Sequence, residues 1–279
     1  MKDFNGKVVV VTGAGSGIGK ETALAFARRG ARLVICDVDG EGLRGTTSEL
    51  EALGCEVYSE IADVSKAWQV EEFRDNAYRV MGTVDVLVNN AGVAVGGKVE
   101  HMSLDDWEWI AGVNIWGVIH GCHYFYPGMI ARGRGGHIVN VASGVVIAPI
   151  PLTSAYACTK GAVFALSETM RAEAALHGIG VSVICPGVVS TDLARSARVV
   201  SGTGRSSGEK LKDKSRSLWE RRKYPPEKVA ARILKAVEKN TGVAVDGPET
   251  YFFDFVHRFS RGLYDWGLRR LTRFIDRLA

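Results

Sequence analysis

A doubly wound parallel α/β sheet of seven strands, in three α/β/α layers, is the fold class this sequence predicts. Three observations predict it. Short apolar runs alternate with longer amphipathic stretches from the N-terminus to about residue 246; a glycine-rich turn joins the first apolar run to the first amphipathic stretch; and an acidic residue closes the second run. Apolar strands alternating with helices give a parallel sheet covered on both faces. Right-handed crossovers then put the ligand crevice at the carboxyl ends of the strands.

The elements follow in order. Val8–Val11 is the first strand, and Thr12-Gly13-Ala14-Gly15-Ser16-Gly17-Ile18-Gly19 is the turn into a helix that begins at Lys20. Glycine lets the backbone turn where a Cβ would clash, and the helix N-terminus behind the turn offers N–H groups to a phosphate. Residues 32–37, 56–61, 84–89, 137–141 and 181–185 read as five further strands, and residues 243–246 as a seventh. Stretches 40–53, 66–81, 104–132 and 154–177 between them are long enough for helices. Residues 1–250 read as one domain, with a basic, Ser/Gly-rich segment at about 192–223 whose composition is that of a flexible segment. In residues 251–279, Phe252, Phe255, Val256, Phe259, Leu263, Leu271, Phe274, Ile275 and Leu278 recur at helical spacing. A break is expected at Gly262.

Bulk properties narrow the class. The 279 residues are 46% hydrophobic and 24% charged, which suits a globular chain with a full core. The start lacks the basic and apolar regions of a signal peptide, and no apolar run approaches the length of a bilayer span. Five widely spaced cysteines with no Cys-x-x-Cys pair read as reduced thiols, hence a cytoplasmic setting. Residues 1–190 carry 15 Lys+Arg against 20 Asp+Glu, and residues 191–279 carry 20 against 11. The basic C-terminal third suits a solvated face, an anionic substrate, an acidic membrane surface or a nucleic acid. His120-Gly121-Cys122-His123 has no second ligand cluster to complete a four-ligand site, so no metal is expected.

The chemistry begins at Asp37, 18 residues beyond Gly19 and at the end of the second strand. In a dinucleotide fold such an acid accepts hydrogen bonds from the adenosine ribose and repels a 2′-phosphate. No Arg follows it (Val38, Asp39), and Ser16 in the turn is not basic, so NAD is expected over NADP. Tyr156 and Lys160 lie four residues apart and share a helix face. A nearby ammonium is expected to lower the phenol pKa toward working pH.

With these residues the chain resembles the short-chain dehydrogenase/reductase family over nearly all of residues 5–192. The markers appear in order: Thr12-Gly13-x-x-x-Gly17-Ile18-Gly19, Asp63-Val64, Asn89-Asn90-Ala91-Gly92, Asn114, Ser143, Tyr156-x-x-x-Lys160 and Pro186-Gly187-Val188-Val189-Ser190-Thr191. The resemblance implies a Rossmann fold and a catalytic set of Asn114, Ser143, Tyr156 and Lys160. Tyr156 would exchange the proton of the substrate oxygen, Ser143 would hydrogen-bond that oxygen, and Lys160 would bond the nicotinamide ribose. Asn114 would anchor a water linking Lys160 to solvent. Asp63 and Val64 would contact adenine, Asn89, Ala91 and Gly92 would flank the adenosine ribose, and Pro186, Gly187, Val189 and Thr191 would hold the carboxamide side.

The family also implies a mobile lid after Thr191 and a pocket wall after Ser143. Here that wall is Gly144-Val145-Val146-Ile147-Ala148-Pro149-Ile150-Pro151, which predicts an apolar alcohol or ketone of terpenoid, steroid or acyl type. Arg195, Arg198, Lys210, Lys212 and Lys214 in the lid either solvate a loop or meet a phosphate-bearing carrier, as in a 3-oxoacyl thioester. A catalytically silent dinucleotide-binding regulator or a membrane-associated scaffold is the contrasting class, against which the complete catalytic set counts. The family further implies a homo-oligomer, dimer or tetramer, built on helices 104–132 and 154–177. The basic amphipathic tail packs on a subunit or touches a membrane as a peripheral segment. No nucleic-acid partner is expected.

Overall fold

The computed structural model of the chain describes residues 1–191, 193, 197–200 and 224–276. Most of the expected lid, including Arg195, Lys210, Lys212 and Lys214, lies outside the described residues, as does Leu278 of the tail.

Four consecutive valines begin the sheet because both of its faces are covered. In β1 (Val8–Thr12), Val8 and Val10 enter one buried cluster and Val9 and Val11 the other. The same two-sided burial recurs in β2 (Arg32–Asp37) and β4 (Val86–Asn89), while β3 (Val57–Ile61) lies at an edge and is half-buried. A two-residue strand β5 (Val95–Gly96) precedes β6 (Gly136–Val141) and β7 (Ile179–Pro186), then a second short strand β8 (Arg198–Val199), and β9 (Val243–Asp246) closes the series. The main sheet is fully parallel, in the order β3-β2-β1-β4-β6-β7-β9. The order reverses between β1 and β4, so their carboxyl ends open the crevice where such sheets bind ligands. The pair β5 and β8 forms a small separate parallel ribbon that the sequence pattern does not announce.

Helices α1 (Gly17–Ala27) and α2 (Gly40–Ala52) cover one face. On the other lie α3 (Ala67–Met81), α5 (Gly117–Arg132) and α6 (Ser154–Ala175). Phe73, Phe125, Met129 and Ile138 fill the core on that side, and Phe26, Leu33 and Leu50 with Ile233 and Val237 fill the other. Ile233 and Val237 come from α7 (Pro226–Lys239), which packs beside α1. The single helix expected over 104–132 is in fact α4 (Leu104–Ala111), a π-helical turn at Gly112–Trp116, and α5. Among the described residues no helix is long and apolar enough to cross a membrane.

The tail begins earlier and breaks elsewhere than its apolar spacing suggests. Pro248 starts α8 (Pro248–Phe259), and Ser260, in an extended conformation, separates it from α9 (Arg261–Asp276). The Ser260 hydroxyl accepts the Leu263 N–H at 3.2 Å, as an N-cap does, so the serine and not Gly262 makes the break.

His137 on β6 shows how closely this interior is matched. Its Nε2–H donates to the Ser182 hydroxyl at 2.8 Å, and that hydroxyl donates onward to the Thr241 carbonyl. Burial pushes the imidazole pKa from about 6.5 down to about 3, because the charged form has no water there. A depressed base stabilises the fold fully above its unfolded pKa, and the contribution is lost as pH falls from about 6.5 toward about 3. Thermal melts over that window should show stability falling with pH, and His137→Gln should flatten the slope; an unchanged slope refutes the assignment.

Candidate active site

The crevice is built from the carboxyl ends of the strands. At the end of β1, Gly13 has a φ of +66°, and a Cβ there would lie 2.6 Å from the Ala91 Cα. At Gly19 a Cβ would meet the Gly13 carbonyl oxygen at 2.0 Å, so the turn and the first turn of α1 are in backbone contact. Ser16 occupies the N-cap position of α1 with no side-chain hydrogen bond, so the helix N-terminus faces the crevice with its own N–H groups. Asp37 ends β2 with its carboxylate held in place: Oδ2 accepts the Gly15 N–H at 2.8 Å and Oδ1 the Asp39 N–H at 2.9 Å. Ile18 packs into the core beneath the turn.

The turn after β4 is locked to the turn after β1. Thr12 Oγ1 accepts the N–H groups of Asn90 and Ala91, at 3.1 and 3.2 Å. The Asn90 side chain returns two bonds, to the carbonyls of Thr12 and Gly13, each at 3.0 Å. Gly92 follows, and a Cβ on it would approach Lys160 Nζ at 3.2 Å and Asn114 Oδ1 at 3.4 Å. After β3, the Asp63 carboxylate caps Ser65 N–H at 2.9 Å, and the Val64 carbonyl bonds His120 Nδ1 at 2.8 Å.

Across the crevice, Ser143 ends the β6 strand-to-loop transition and Tyr156 lies in the first turn of α6. The Ser143 side chain lies close enough to the Tyr156 phenol to favour its charged form. Lys160, one turn further along α6, is 3% exposed and donates to the Val141 carbonyl at 2.9 Å, with Nζ 5.9 Å from the centre of the Tyr156 ring. Asn114 sits in the π-helical turn, where π geometry often marks functional positions. Its Oδ1 accepts the Val93 N–H at 2.8 Å, and its Nδ2 donates to the Val93 carbonyl at 2.9 Å and the Thr159 hydroxyl at 3.1 Å. Asn114 thereby ties the Gly92–Val93 turn to the helix that carries Tyr156 and Lys160. The last wall is the loop after β7. Gly187 N–H bonds the Asp246 carbonyl at 2.7 Å, Val189 is buried, and Thr191 reaches the α1 N-terminus beside Gly17.

The family model described as short chain dehydrogenase matches residues 7–200. The chain belongs to this family. Among relatives of the short-chain dehydrogenase, the probable oxidoreductase EphD of Mycobacterium tuberculosis is 39% identical over 249 residues, 89% of this chain. The chain spans only 42% of that protein's length. The 1-deoxy-11-beta-hydroxypentalenate dehydrogenase of Streptomyces exfoliatus is 35% identical over 77% of this chain and 78% of its own. A short-chain dehydrogenase/reductase of Burkholderia phymatum, solved in complex with NAD, superposes with a TM-score of 0.87 at 33% identity, covering 94% of this chain and 96% of its own.

The residues of this chain fit a dinucleotide. The glycines at 13 and 19 hold the turn in backbone contact with α1 and the turn after β4, the α1 N-terminus is uncapped by a side chain, and Asp37 stands fixed at the end of β2. A lysine ammonium has three donors, and Lys160 spends one of them on protein.

Four expectations change. Asn89 does not face the crevice: its side chain is buried and donates to Asn140 Oδ1 at 2.9 Å, because strand alternation turns it into the core. Tyr156 is not lowered by Lys160. Burial pushes the phenol up, with the Ser143 hydrogen bond acting downward, and burial likewise brings Lys160 down to about 8. The apolar wall after Ser143 is only partly free, since Gly144, Val145 and Ala148 are buried and Val146 and Ile147 pack on the core. Arg198, assigned to the lid, stacks on Trp109 at 3.8 Å and pairs with Asp106 at 3.3 Å.

Thr12, Asn90 and Thr159 do essential bracing that sequence reasoning missed. Asn90 stands beside Asn89 in the sequence, and only the fold turns its side chain outward to the glycine turn. His120 braces the Asp63–Val64 turn, and Cys122 lies buried beside Asn89 at 3.5 Å from its amide.

Proposed function

We propose that this short-chain dehydrogenase is an NAD(H)-dependent oxidoreductase that acts on an apolar secondary alcohol or ketone of terpenoid, steroid or acyl type. The observation that carries the reading is the convergence of Ser143, Tyr156 and Lys160 beside Gly92, facing the glycine turn across one crevice. When bound, the dinucleotide supplies or accepts the hydride at nicotinamide C4. The protein's part is positioning and proton management. In reduction Tyr156 donates its proton to the substrate oxygen; in oxidation it removes the hydroxyl proton. Ser143 holds the same oxygen by a hydrogen bond. Lys160 bonds the nicotinamide ribose with the donors it does not spend on Val141. Asn114 fixes Lys160's helix and anchors the water that leads to solvent. Asp63 and Val64 take the adenine, Ala91 and Gly92 the adenosine ribose, and Pro186, Gly187, Val189 and Thr191 the carboxamide.

Asp37 supports NAD over NADP. Its carboxylate is fixed toward the glycine turn, and neither Val38, Asp39 nor Ser16 brings a cation to balance a 2′-phosphate. The relative named as a hydroxypentalenate dehydrogenase supports a hydroxyl-bearing organic substrate. A second reading, a substrate on a phosphate-bearing carrier, is favoured by one feature. An open surface hollow of about 280 Å³ between α7 and the end of the edge strand β9 is lined by Tyr224, Lys228, Ala231, Arg232, Lys235 and Asp246.

Residues 1–250 are read as the catalytic unit and 251–279 as an extension of it. Exposed Leu104, Trp116 and Leu176 on α4 to α6 support assembly as a homo-oligomer, dimer or tetramer. The exposed Phe252, Phe255, Phe259 and Trp266 of the tail suit either a subunit contact or a peripheral membrane contact. Five free cysteines support a reducing, cytoplasmic setting.

Two variants test the reading. Tyr156→Phe should lower kcat roughly 10²- to 10⁴-fold, the size of a general acid–base contribution, with NADH affinity nearly unchanged by fluorescence titration; surviving turnover refutes the catalytic assignment. The unaltered chain should bind NADH more tightly than NADPH, and Asp37→Ala should narrow the gap. Tighter NADPH binding by the unaltered chain overturns the Asp37 argument.

A further inference from the structure

The loop between the two proton-handling residues, from Gly144 to Thr153, carries a strained position. Leu152 has a φ of +66°, a left-handed conformation that a leucine adopts only when its surroundings enforce it. One contact from a distant part of the chain reaches Leu152 itself, and two more hold the loop at Gly144 and Pro149. The Gly97 N–H donates to the Leu152 carbonyl at 2.8 Å. Thr250, in the first turn of α8 and 4% exposed, sits so closely over Gly144 that a Cβ there would lie 2.6 Å from its hydroxyl. Tyr264 of α9 donates its hydroxyl to the carbonyl of Pro149.

Tyr264 differs from its neighbours on the tail. It is 6% exposed, whereas Leu263 and Trp266 beside it are 53% and 54% exposed. The helix pair is also fixed to the sheet, since the Tyr251 hydroxyl donates to the Val245 carbonyl at 2.9 Å. The tail is thus fastened at one end to β9 and at two points to the loop that joins Ser143 to Tyr156.

We propose that Tyr264 is a positioning residue for substrate selectivity: its bond to the Pro149 carbonyl holds the Gly144–Thr153 loop, and the C-terminal helix pair thereby forms one wall of the apolar substrate site. This inference rests on the oxidoreductase reading for its substrate. A long or cyclic apolar substrate uses the wall that the loop presents, while a short alcohol engages only Ser143 and Tyr156. Freeing the loop therefore changes discrimination between substrates more than it changes the chemical step.

The test is Tyr264→Phe in the full chain, which keeps the ring and removes only the donor. Hydrogen–deuterium exchange of residues 144–153 should speed up roughly threefold to tenfold, the size of one net hydrogen bond, with β1 unchanged. In a series of secondary alcohols of increasing chain length with NAD, the ratio of kcat/KM for long over short alcohols should fall by a similar roughly threefold to tenfold. That change should lie in KM, with kcat for the short alcohol preserved. Leu263→Ser, on the exposed side of the same helix, should leave both readouts as they are. Unchanged exchange overturns the anchor, and faster exchange with an unchanged selectivity ratio overturns its role in selectivity. The exchange measurement needs no turnover, so a chain that oxidises no alcohol in the series refutes the oxidoreductase reading separately from the anchor.

Discussion

The seam between the turn after β1 and the turn after β4 decides where everything else in the crevice lies. Gly13 and Ala91 approach within a distance that leaves no room for a Cβ, and Thr12 and Asn90 close the seam with four hydrogen bonds. A buried hydrogen bond of this kind contributes modestly, but an unsatisfied partner costs about 1–3 kcal/mol, so the seam opens as a unit or not at all. It fixes Gly92, whose missing side chain leaves space for Lys160 Nζ and Asn114 Oδ1. The same contact thus sets the glycine turn on one side and the Lys160–Asn114 pair on the other. The reversal of strand order between β1 and β4 is what brings the two turns side by side.

Much of this was legible in the residues. Val8–Val11 states its two-sided burial by having no polar alternate, and the glycine spacing with Asp37 downstream marks the cradle and its acid. Tyr156 and Lys160 announce their shared helix face through spacing alone. What was not legible depends on direction and depth. Asn89 and Asn90 are indistinguishable as letters, yet strand alternation sends one into the core and leaves the other to brace the glycine turn. The π-helical turn at Asn114 has no signature in periodicity, because one extra residue inside a helix shifts the pattern by less than a turn. Ser260 looks like an ordinary polar residue of an amphipathic helix until its hydroxyl is seen capping Leu263.

Electrostatics reversed a plausible inference. A lysine four residues from a tyrosine suggests a lowered phenol, but both groups are buried, and desolvation acts against each charged form. Tyr156 is raised and Lys160 lowered to about 8, so the phenol stands ready as an acid while removal of a proton needs help from its surroundings. Ser143 is the group that acts in that direction. The apolar character expected of the substrate wall is also divided by burial: Val146 and Ile147 serve the core, while Pro149 and Ile150 remain exposed beside the tail.

The central claim is that this crevice passes a hydride directly between a substrate carbon and the dinucleotide while Tyr156 handles the proton. The most direct measurement uses an apolar secondary alcohol deuterated at its carbinol carbon, incubated with NAD and the full chain. The account predicts that the label appears at C4 of the nicotinamide, with slower turnover than for the unlabelled alcohol. Turnover that releases the label to solvent, or leaves none on the dinucleotide, would contradict it.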